Sequence, residues 1–144
     1  MKKISFLVFV MCCFLSTQCD DDIVDDIDNL CDDIVVIDNT AYDTIQSDSF
    51  QFTDVSIDGD CLSISIGASG CDGNSWSFAL VDSGAVAESS PEQRFLKFEF
   101  LNAEVCTAFF ERTISFNLEP LQISGSNEII LNLDGWETSV NYSY

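Results

Sequence analysis

Apolar and polar residues alternate with a period of two over most of the chain from Ser49 onward. This period is typical of β-strands that bury one face. Turn residues such as Gly59, Pro91 and Pro120 separate the alternating runs. The pattern predicts eight strands, in the ranges 50–57, 62–66, 76–80, 96–100, 105–110, 114–118, 129–133 and 140–144. We therefore expect an all-β domain, either an antiparallel β-sandwich or a small barrel.

One face of each predicted strand supplies the expected core. We assign the apolar members of each alternating run to that inward face. They are Phe50, Phe52, Leu62, Ile64, Ile66, Trp76, Phe78, Leu80, Leu96, Phe98, Phe100, Ile114, Phe116, Leu118, Ile130 and Val140. The roughly 95 residues from Ser49 onward are enough to bury an independent core.

The segment before these strands differs in both pattern and charge. Fourteen of the seventeen aspartates lie between Asp20 and Asp60. The apolar residues from Ile23 to Ile34 are spaced to suit one helix face, but Asp is a poor helix former and like charges four residues apart repel. We therefore interpret residues 19–33 as an acidic tether. A short strand at 34–37 then leads into a domain that spans residues 34–144.

The N-terminus has the features of an export signal. Lys2 and Lys3 precede an apolar run of twelve residues, Ile4–Leu15, which small polar residues follow. As a helix this run is too short to span a membrane, since the hydrocarbon core needs about 20 residues. A charged start, a short apolar run and small residues beyond it are typical of a secretory signal peptide. We assign the signal peptide to residues 1–18.

Cys19 follows this signal and is succeeded by Asp20, Asp21 and Asp22. The arrangement resembles a bacterial lipoprotein signal, and the acidic triplet resembles the surface-sorting tether of small lipoproteins from Bacteroidetes-type bacteria. The resemblance covers the first 22 residues. It implies that Cys19 carries fatty acyl chains such as palmitate and anchors the protein in the outer membrane, with its domain facing outward. Gln18 stands where such signals usually have Gly, Ala or Ser, so ordinary cleavage that leaves a free thiol is the alternative.

Four cysteines remain beyond Cys19, namely Cys31, Cys61, Cys71 and Cys106. Exported proteins fold in an oxidising compartment, so an even number of cysteines indicates two disulfides, for which three pairings are possible. We expect Cys31–Cys61 and Cys71–Cys106, because the first bond would fasten the tether to the domain. The chain has no histidine and no Cys-x-x-Cys motif, which argues against a zinc site.

Charge and composition restrict the function further. The chain has 5 Lys+Arg against 25 Asp+Glu, a formal net charge of −20. Such a chain repels nucleic acid and anionic membrane surfaces, so no nucleic-acid partner is expected. The absence of histidine removes Ser-His-Asp and Cys-His catalysis. With no phosphate-binding glycine loop and no carboxylate pair set apart from the rest, we expect no enzyme, no cofactor and no metal centre.

One acidic segment and one aromatic residue are candidates for binding. Asp54–Asp60 begins like a calcium-binding EF-hand loop, but its twelfth position is Ser65 instead of Glu. The segment also alternates, so we interpret it as a strand that runs into a turn. Trp136 follows the turn residues Asp134 and Gly135. A cap on the core is favoured over an exposed surface for stacking sugars.

Two basic residues complete the candidates. The polar segment 88–94 connects two strands and ends at Arg94, which we expect to pair with a nearby acid such as Glu92. Loops of this kind often carry binding function. Lys97 is the single lysine beyond the signal peptide, and its place in an alternating strand predicts that it faces solvent.

Together these features indicate a membrane-anchored, surface-exposed binding or structural module without catalytic activity. Its partners would be the membrane, through lipid on Cys19, and a protein or glycan that the sequence does not name. One alternative is a secreted inhibitor or immunity-type protein for a basic partner, whose association the negative charge would accelerate. Another is a carbohydrate- or Ca²⁺-binding accessory module. That function requires Trp76 or Trp136 on an exposed face, or three acids that converge in space.

Overall fold

Two β-sheets pack face to face in the structure, a computed structural model that describes residues 31–144. The elements are β1 (Asp33–Ile34), β2 (Val36–Ile37), α1 (Asn39–Thr44), β3 (Gln51–Asp58), β4 (Cys61–Gly70), β5 (Ser77–Ala87), β6 (Glu92–Leu101), β7 (Ala108–Asn117), a short 3-10 helix (Glu119–Leu121), β8 (Glu128–Leu133) and β9 (Val140–Ser143). The all-β prediction is confirmed, and the arrangement is a sandwich instead of a closed barrel.

Both sheets are mixed in strand direction. The four-stranded sheet has the order β1-β7-β4-β3, and the five-stranded sheet has the order β2-β5-β6-β8-β9. The pairs β1–β7, β2–β5 and β6–β8 are parallel, whereas the other neighbours are antiparallel. Alternation in a sequence determines which side chains face inward, but it does not determine the direction of the neighbouring strand. The sequence therefore did not reveal the parallel pairs.

A short N-terminal segment holds the two sheets together at one side. β1 pairs with β7 in one sheet and β2 pairs with β5 in the other, with Val35 alone between them. Val35 is buried, and its backbone N–H donates to the carbonyl of Asn117 at 3.1 Å. A disulfide between Cys31 and Cys61 fastens the start of this segment to β4. Cys31, where the described residues begin, is therefore fixed to the domain.

The predicted strands 105–110 and 114–118 prove to be one strand. β7 pairs with β4 without interruption from Ala108 to Asn117. The three residues between the two predicted strands, Glu111, Arg112 and Thr113, include neither Gly nor Pro, so nothing in them ends a strand. All three stay in register with β4.

The core lies between the sheets and follows the predicted alternation closely. Ten of the sixteen predicted core residues are buried: Leu62, Ile64, Ile66, Trp76, Leu80, Leu96, Phe98, Phe100, Phe116 and Leu118. Five more pack against them while partly exposed: Phe50, Phe52, Phe78, Ile114 and Val140. Ile130 is wrong, because β8 buries Ile129, Leu131 and Leu133, and Ile130 lies on the other face. Alternation also buries Tyr142, which the prediction left out.

One charged pair lies in this interior. The side chain of Arg94 on β6 donates from Nη1 to Oδ1 of Asp82 on β5, at 3.0 Å. Asp82 is fully buried, and the backbone N–H of Gly84 donates to the same oxygen at 2.7 Å. Burial raises the pKa of the Asp82 carboxyl, although the bonds from Gly84 and Arg94 act in the opposite direction.

The expected partner of Arg94 was therefore wrong. Arg94 points inward beside the core residue Leu96, where a carboxylate across the strand pair can reach it. Glu92 instead accepts a hydrogen bond from the hydroxyl of Ser126 at 3.0 Å.

The second disulfide, Cys71–Cys106, joins the loop before β5 to the loop before β7. Both disulfides are the pairs that we expected from the sequence. Beside this bond the carboxylate of Glu104 accepts hydrogen bonds from the backbone N–H groups of residues 71–73 and from the hydroxyl of Ser75. Burial raises the pKa of Glu104, but these hydrogen bonds outweigh it and lower the pKa to about 2. The carboxylate thus holds the two loops together in its charged form.

Candidate binding groove

A groove of about 700 Å³ opens beside the part of β6 that β8 does not cover. It lies between residues 45–52, which include the start of β3, and the turn that joins β8 to β9. Its lining combines aromatic, charged and amide side chains: Ile45, Ser47, Phe50, Gln51, Phe52, Lys97, Phe98, Asp134, Gly135, Trp136, Glu137 and Thr138. Concave sites of this volume are typical of small-ligand binding.

The unequal lengths of two strands create the groove. β8 pairs with residues 92–96 of β6, and the second half of β6 extends beyond it. The segment after α1 covers part of this free edge. The hydroxyl of Ser47 donates to the carbonyl of Phe98 at 3.0 Å and accepts from the N–H of Phe100 at 3.1 Å, and the N–H of Asp48 donates to the carbonyl of Phe100 at 2.9 Å.

Aromatic rings form the wall of the groove nearest the core. The rings of Phe50 and Phe52 meet edge to face with centroids 4.9 Å apart, and Phe52 meets Trp136 in the same manner at 6.0 Å. Phe50 also contacts the buried ring of Phe98 at 5.5 Å. Edge-to-face contacts of this kind hold aromatic side chains in fixed orientations. Each of Phe50, Phe52 and Trp136 is half-buried, so part of each ring faces the groove.

The turn between β8 and β9 forms the opposite wall. Gly135 has a φ of 82°, a conformation that side chains other than glycine rarely adopt. A Cβ atom at this position would also lie 3.3 Å from the ring of Phe52. Two backbone hydrogen bonds fix the first half of the turn: the N–H of Asp134 donates to the carbonyl of Leu96 at 2.9 Å, and the N–H of Trp136 donates to the carbonyl of Leu133 at 3.1 Å.

Two carboxylates, those of Asp134 and Glu137, flank Trp136 on this turn. Both residues are exposed. From Cys31 to Tyr144, the one ion pair is Arg94–Asp82, so neither groove carboxylate has a cation within 4.0 Å among these residues. The charge of Asp134 nevertheless affects the pKa of a nearby group, the hydroxyl of Tyr42. Burial raises the pKa of the Tyr42 hydroxyl, and the negative charge of Asp134 raises it further.

Lys97 lines the groove, but its ammonium is bound to Tyr42 of α1. Its ammonium donates to the backbone carbonyl of Tyr42 at 3.0 Å and lies 4.4 Å from the centroid of the Tyr42 ring. The expectation that Lys97 faces solvent holds in part: it lies on the outer face of the sheet, opposite to Leu96 and Phe98, but Tyr42 of α1 covers part of it.

All three basic residues of the described chain are engaged within the fold. Arg94 is buried against Asp82, and Lys97 binds Tyr42. Arg112 donates from Nη2 to the backbone carbonyl of Gly73 at 2.7 Å. Residues 31–144 contain nineteen acidic residues against these three cations. The exposed charge of the described surface is therefore dominated by carboxylates.

The two tryptophans have different environments. Trp76 is buried in the core, so it offers no surface for a ligand. Trp136 packs against the core, as favoured from the sequence, and it also lines the groove. A sugar-binding surface requires a tryptophan on an exposed face. Trp136 meets this requirement in part, and Trp76 does not.

The other candidates from the sequence fall outside the groove or outside the described residues. Asp54 lies in β3, which ends at Asp58 and turns at Gly59, so the strand-and-turn interpretation is confirmed. The loop at 88–91 joins β5 to β6. Cys19 and the sorting triplet Asp20–Asp22 lie outside residues 31–144. Within those residues no cluster of three or more Cys, Asp or Glu is placed to hold a metal ion, and no helix is long and apolar enough to cross a membrane.

The groove itself was not predicted from the sequence. Phe50 and Phe52 were assigned to the core, and nothing in the alternation shows that β8 ends before β6 does. The turn signal at Asp134-Gly135 next to a tryptophan was the one available indication.

Comparisons with known proteins place the fold but not the family. No protein-family model matches the sequence, and no curated protein matches it significantly. Seven solved chains resemble the structure significantly. One is a protein of unknown function, DUF1344, from Bacteroides vulgatus, with a TM-score of 0.53 and 18% identity over 78% of this chain and 56% of that one.

Two further neighbours have the same fold. A NigD-like immunity protein from Bacteroides caccae has a TM-score of 0.53 and 11% identity over 76% of this chain and 57% of its own. A protein from Parabacteroides distasonis is named as suspected to be related to a toxin. It has a TM-score of 0.51 and 16% identity over 78% of this chain and 59% of its own. This chain thus spans less than three fifths of each neighbour, and the likeness shows the fold alone. None of the three has the name of an enzyme.

Proposed function

We propose that the protein is a non-enzymatic binding module, anchored to the bacterial outer membrane and facing outward, which binds its ligand in the groove between the segment 45–52 and the β8–β9 turn. The observation that carries this proposal is the groove itself. It joins half-exposed aromatic rings to carboxylates without a partner in the described chain. No nucleophile activated by a base lies among its lining residues.

The anchoring part of the proposal rests on the sequence. Cys19 follows an export signal and precedes three aspartates. Eleven tether residues, from Asp20 to Leu30, would span at most about 36–40 Å when fully extended. Because Cys31 is bonded to Cys61, such a tether would join the domain at one fixed point and hold it clear of the membrane.

A second candidate function is that of an inhibitor or immunity-type protein for a basic partner. The engagement of all three described cations within the fold favours it, since the remaining surface charge attracts cationic proteins. A solved neighbour is named an immunity protein, which adds weak support. The two functions share a binding module and differ in the partner.

The anchor is tested by the intact mass of the protein from its native membrane, before and after reduction. We expect a chain that begins at Cys19, carries a lipid-sized increment and gains four hydrogens on reduction. Cys19→Ser should release the protein from the membrane fraction, whereas the matched control Cys13→Ser should not. A native chain without the increment would contradict the anchor. Digestion by added protease in intact cells as well as in lysed cells would support the outward orientation, and protection in intact cells would contradict it.

The binding part is tested through the fluorescence of Trp136. In a Trp76→Phe variant the groove holds the single tryptophan, and the substitution removes an indole N–H that has no hydrogen-bond partner in the described chain. Soluble oligosaccharides and short peptides would be titrated in turn. A saturable change in emission with one class supports the groove as a binding site, and no change with any of them contradicts it.

A further inference from the structure

We infer that the groove recognises a positively charged side chain, lysine or arginine, that a protein partner presents. This inference rests on the proposed function and names the ligand class of the same groove. The first observation is electrostatic. Asp134 and Glu137 flank Trp136, and in the part of the chain that the structure describes neither carboxylate makes an ion pair or a hydrogen bond.

Two other carboxylates bind partners within the fold, although Oδ2 of Asp82 has no hydrogen bond in the described chain. Asp82 has Arg94, and Glu104 has the N–H groups of residues 71–73. Asp134 and Glu137 differ because they are exposed at a concave surface beside apolar rings and have no partner among the described residues. A bound cation would gain two attractive charges without displacing an internal partner, against the single positive charge of Lys97, which lines the same groove and is held at Tyr42.

The second observation is the aromatic surface between these carboxylates. The faces of Trp and Phe rings attract cations, and Trp does so most strongly. The molecule already shows this mode of binding beside the groove, where the Lys97 ammonium lies 4.4 Å from the centroid of the Tyr42 ring and donates to a carbonyl. Trp136 with Phe52 offers a second aromatic surface, without a cation on it among residues 31–144.

Charge argues against two other occupants. The tether segment at 20–30 contains six aspartates and no basic residue, so the acidic groove repels it. A second copy of the chain would bring a formal charge of −20 to a surface of the same sign. A groove of about 700 Å³ is large enough for a long side chain with its flanking backbone. A neutral oligosaccharide is the remaining competitor, and the test includes it.

The test titrates the Trp76→Phe protein with a capped, flexible peptide that contains three lysines separated by Gly and Ser. A second peptide has glutamine in place of each lysine, and a chitin oligosaccharide serves as the neutral ligand. We expect the lysine peptide to change the emission of Trp136 and to bind about tenfold more tightly than the glutamine peptide. Equal binding of the two peptides would overturn the inference.

Two double variants separate a site from general attraction. Asp134→Asn with Glu137→Gln should weaken the lysine peptide by about tenfold, whereas the control Asp58→Asn with Glu111→Gln removes the same charge elsewhere and should weaken it by less than about twofold. Equal losses in the two variants would overturn the inference. Binding of the oligosaccharide alone would overturn it while leaving the groove as a binding site. No binding of any ligand would overturn both the inference and the proposed binding function.

Discussion

Two regions of this molecule use carboxylates in opposite ways. At the buried end of β5 and β6, Asp82 is fully enclosed and Arg94 neutralises it. At the groove, Asp134 and Glu137 face an open surface and have no cation beside them among the described residues. All three are acidic residues next to apolar side chains, but Asp82 belongs to a buried ion pair, whereas the other two are exposed and have no ion pair among the described residues.

The difference shows which charges hold the fold and which are available to a ligand. A buried carboxylate that loses its partner stays in an interior that stabilises charge poorly, so the unpaired charge lowers the free energy of unfolding. An exposed carboxylate is hydrated in the unbound protein, so its removal changes the free energy of unfolding little. Stability measurements can therefore separate the two regions without any ligand.

The largest effect is expected for Arg94→Met, which leaves Asp82 buried without its cation. We expect the free energy of unfolding in urea at pH 7 to fall by about 3–5 kcal/mol. The loss should shrink as the pH is lowered. Burial already raises the pKa of Asp82, and a carboxyl with a raised pKa favours the folded state when protonated and disfavours it as the pH rises.

Lys97→Met is the matched control, because it removes a cation from the same strand. Lys97 is half-exposed and donates a single hydrogen bond, so its loss should cost only about 1 kcal/mol. Adding Asp82→Asn to Arg94→Met should recover stability, since no unpaired charge is then buried. Equal losses for the two single variants would mean that the buried pair contributes no more than a surface contact.

An intermediate effect is expected for Glu104→Gln, and it concerns the pH dependence of stability. Hydrogen bonds from residues 71–73 lower the pKa of Glu104 from 4.5 to about 2. Between these values the unfolded chain binds more protons than the folded one, so stability falls as the pH falls from about 4.5 towards 2. The variant should lose this part of the acid sensitivity when urea midpoints are compared between pH 5 and pH 2.5.

Glu111→Gln removes a charge from an exposed position on β7 and serves as its control. The control should keep the acid sensitivity of the parent protein. A Glu104→Gln protein that still loses as much stability in acid would show that the loop contacts do not depend on the charged carboxylate.

The sequence predicted the features that depend on side-chain alternation. Leu62, Ile64 and Ile66 alternate with serines, and the same three residues are buried in β4. A hydrophobic residue in a half-buried strand has one favourable face, so this part of the fold is encoded locally. The even number of cysteines in an exported chain likewise indicated two disulfides.

Features that depend on distant partners were not predicted. Arg94 pairs with Asp82 because β5 and β6 lie side by side in a register that the sequence does not display. The groove depends on where β8 stops beside β6, which is a matter of tertiary packing. The outward direction of Lys97 follows from alternation, but no local pattern shows that Tyr42 of α1 covers part of it.

The smallest effect on stability is expected where we propose the binding site. Asp134→Asn with Glu137→Gln should change the free energy of unfolding by less than about 0.5 kcal/mol, because both carboxylates are exposed and neither bonds to another described residue. Asn followed by Gly suits a turn as well as Asp does, so the turn at Gly135 should persist. Urea titration beside Asp58→Asn with Glu111→Gln checks this. A loss above about 1 kcal/mol in the groove variant alone would show that these carboxylates stabilise the folded state, as Asp82 does, and are not available to bind a ligand.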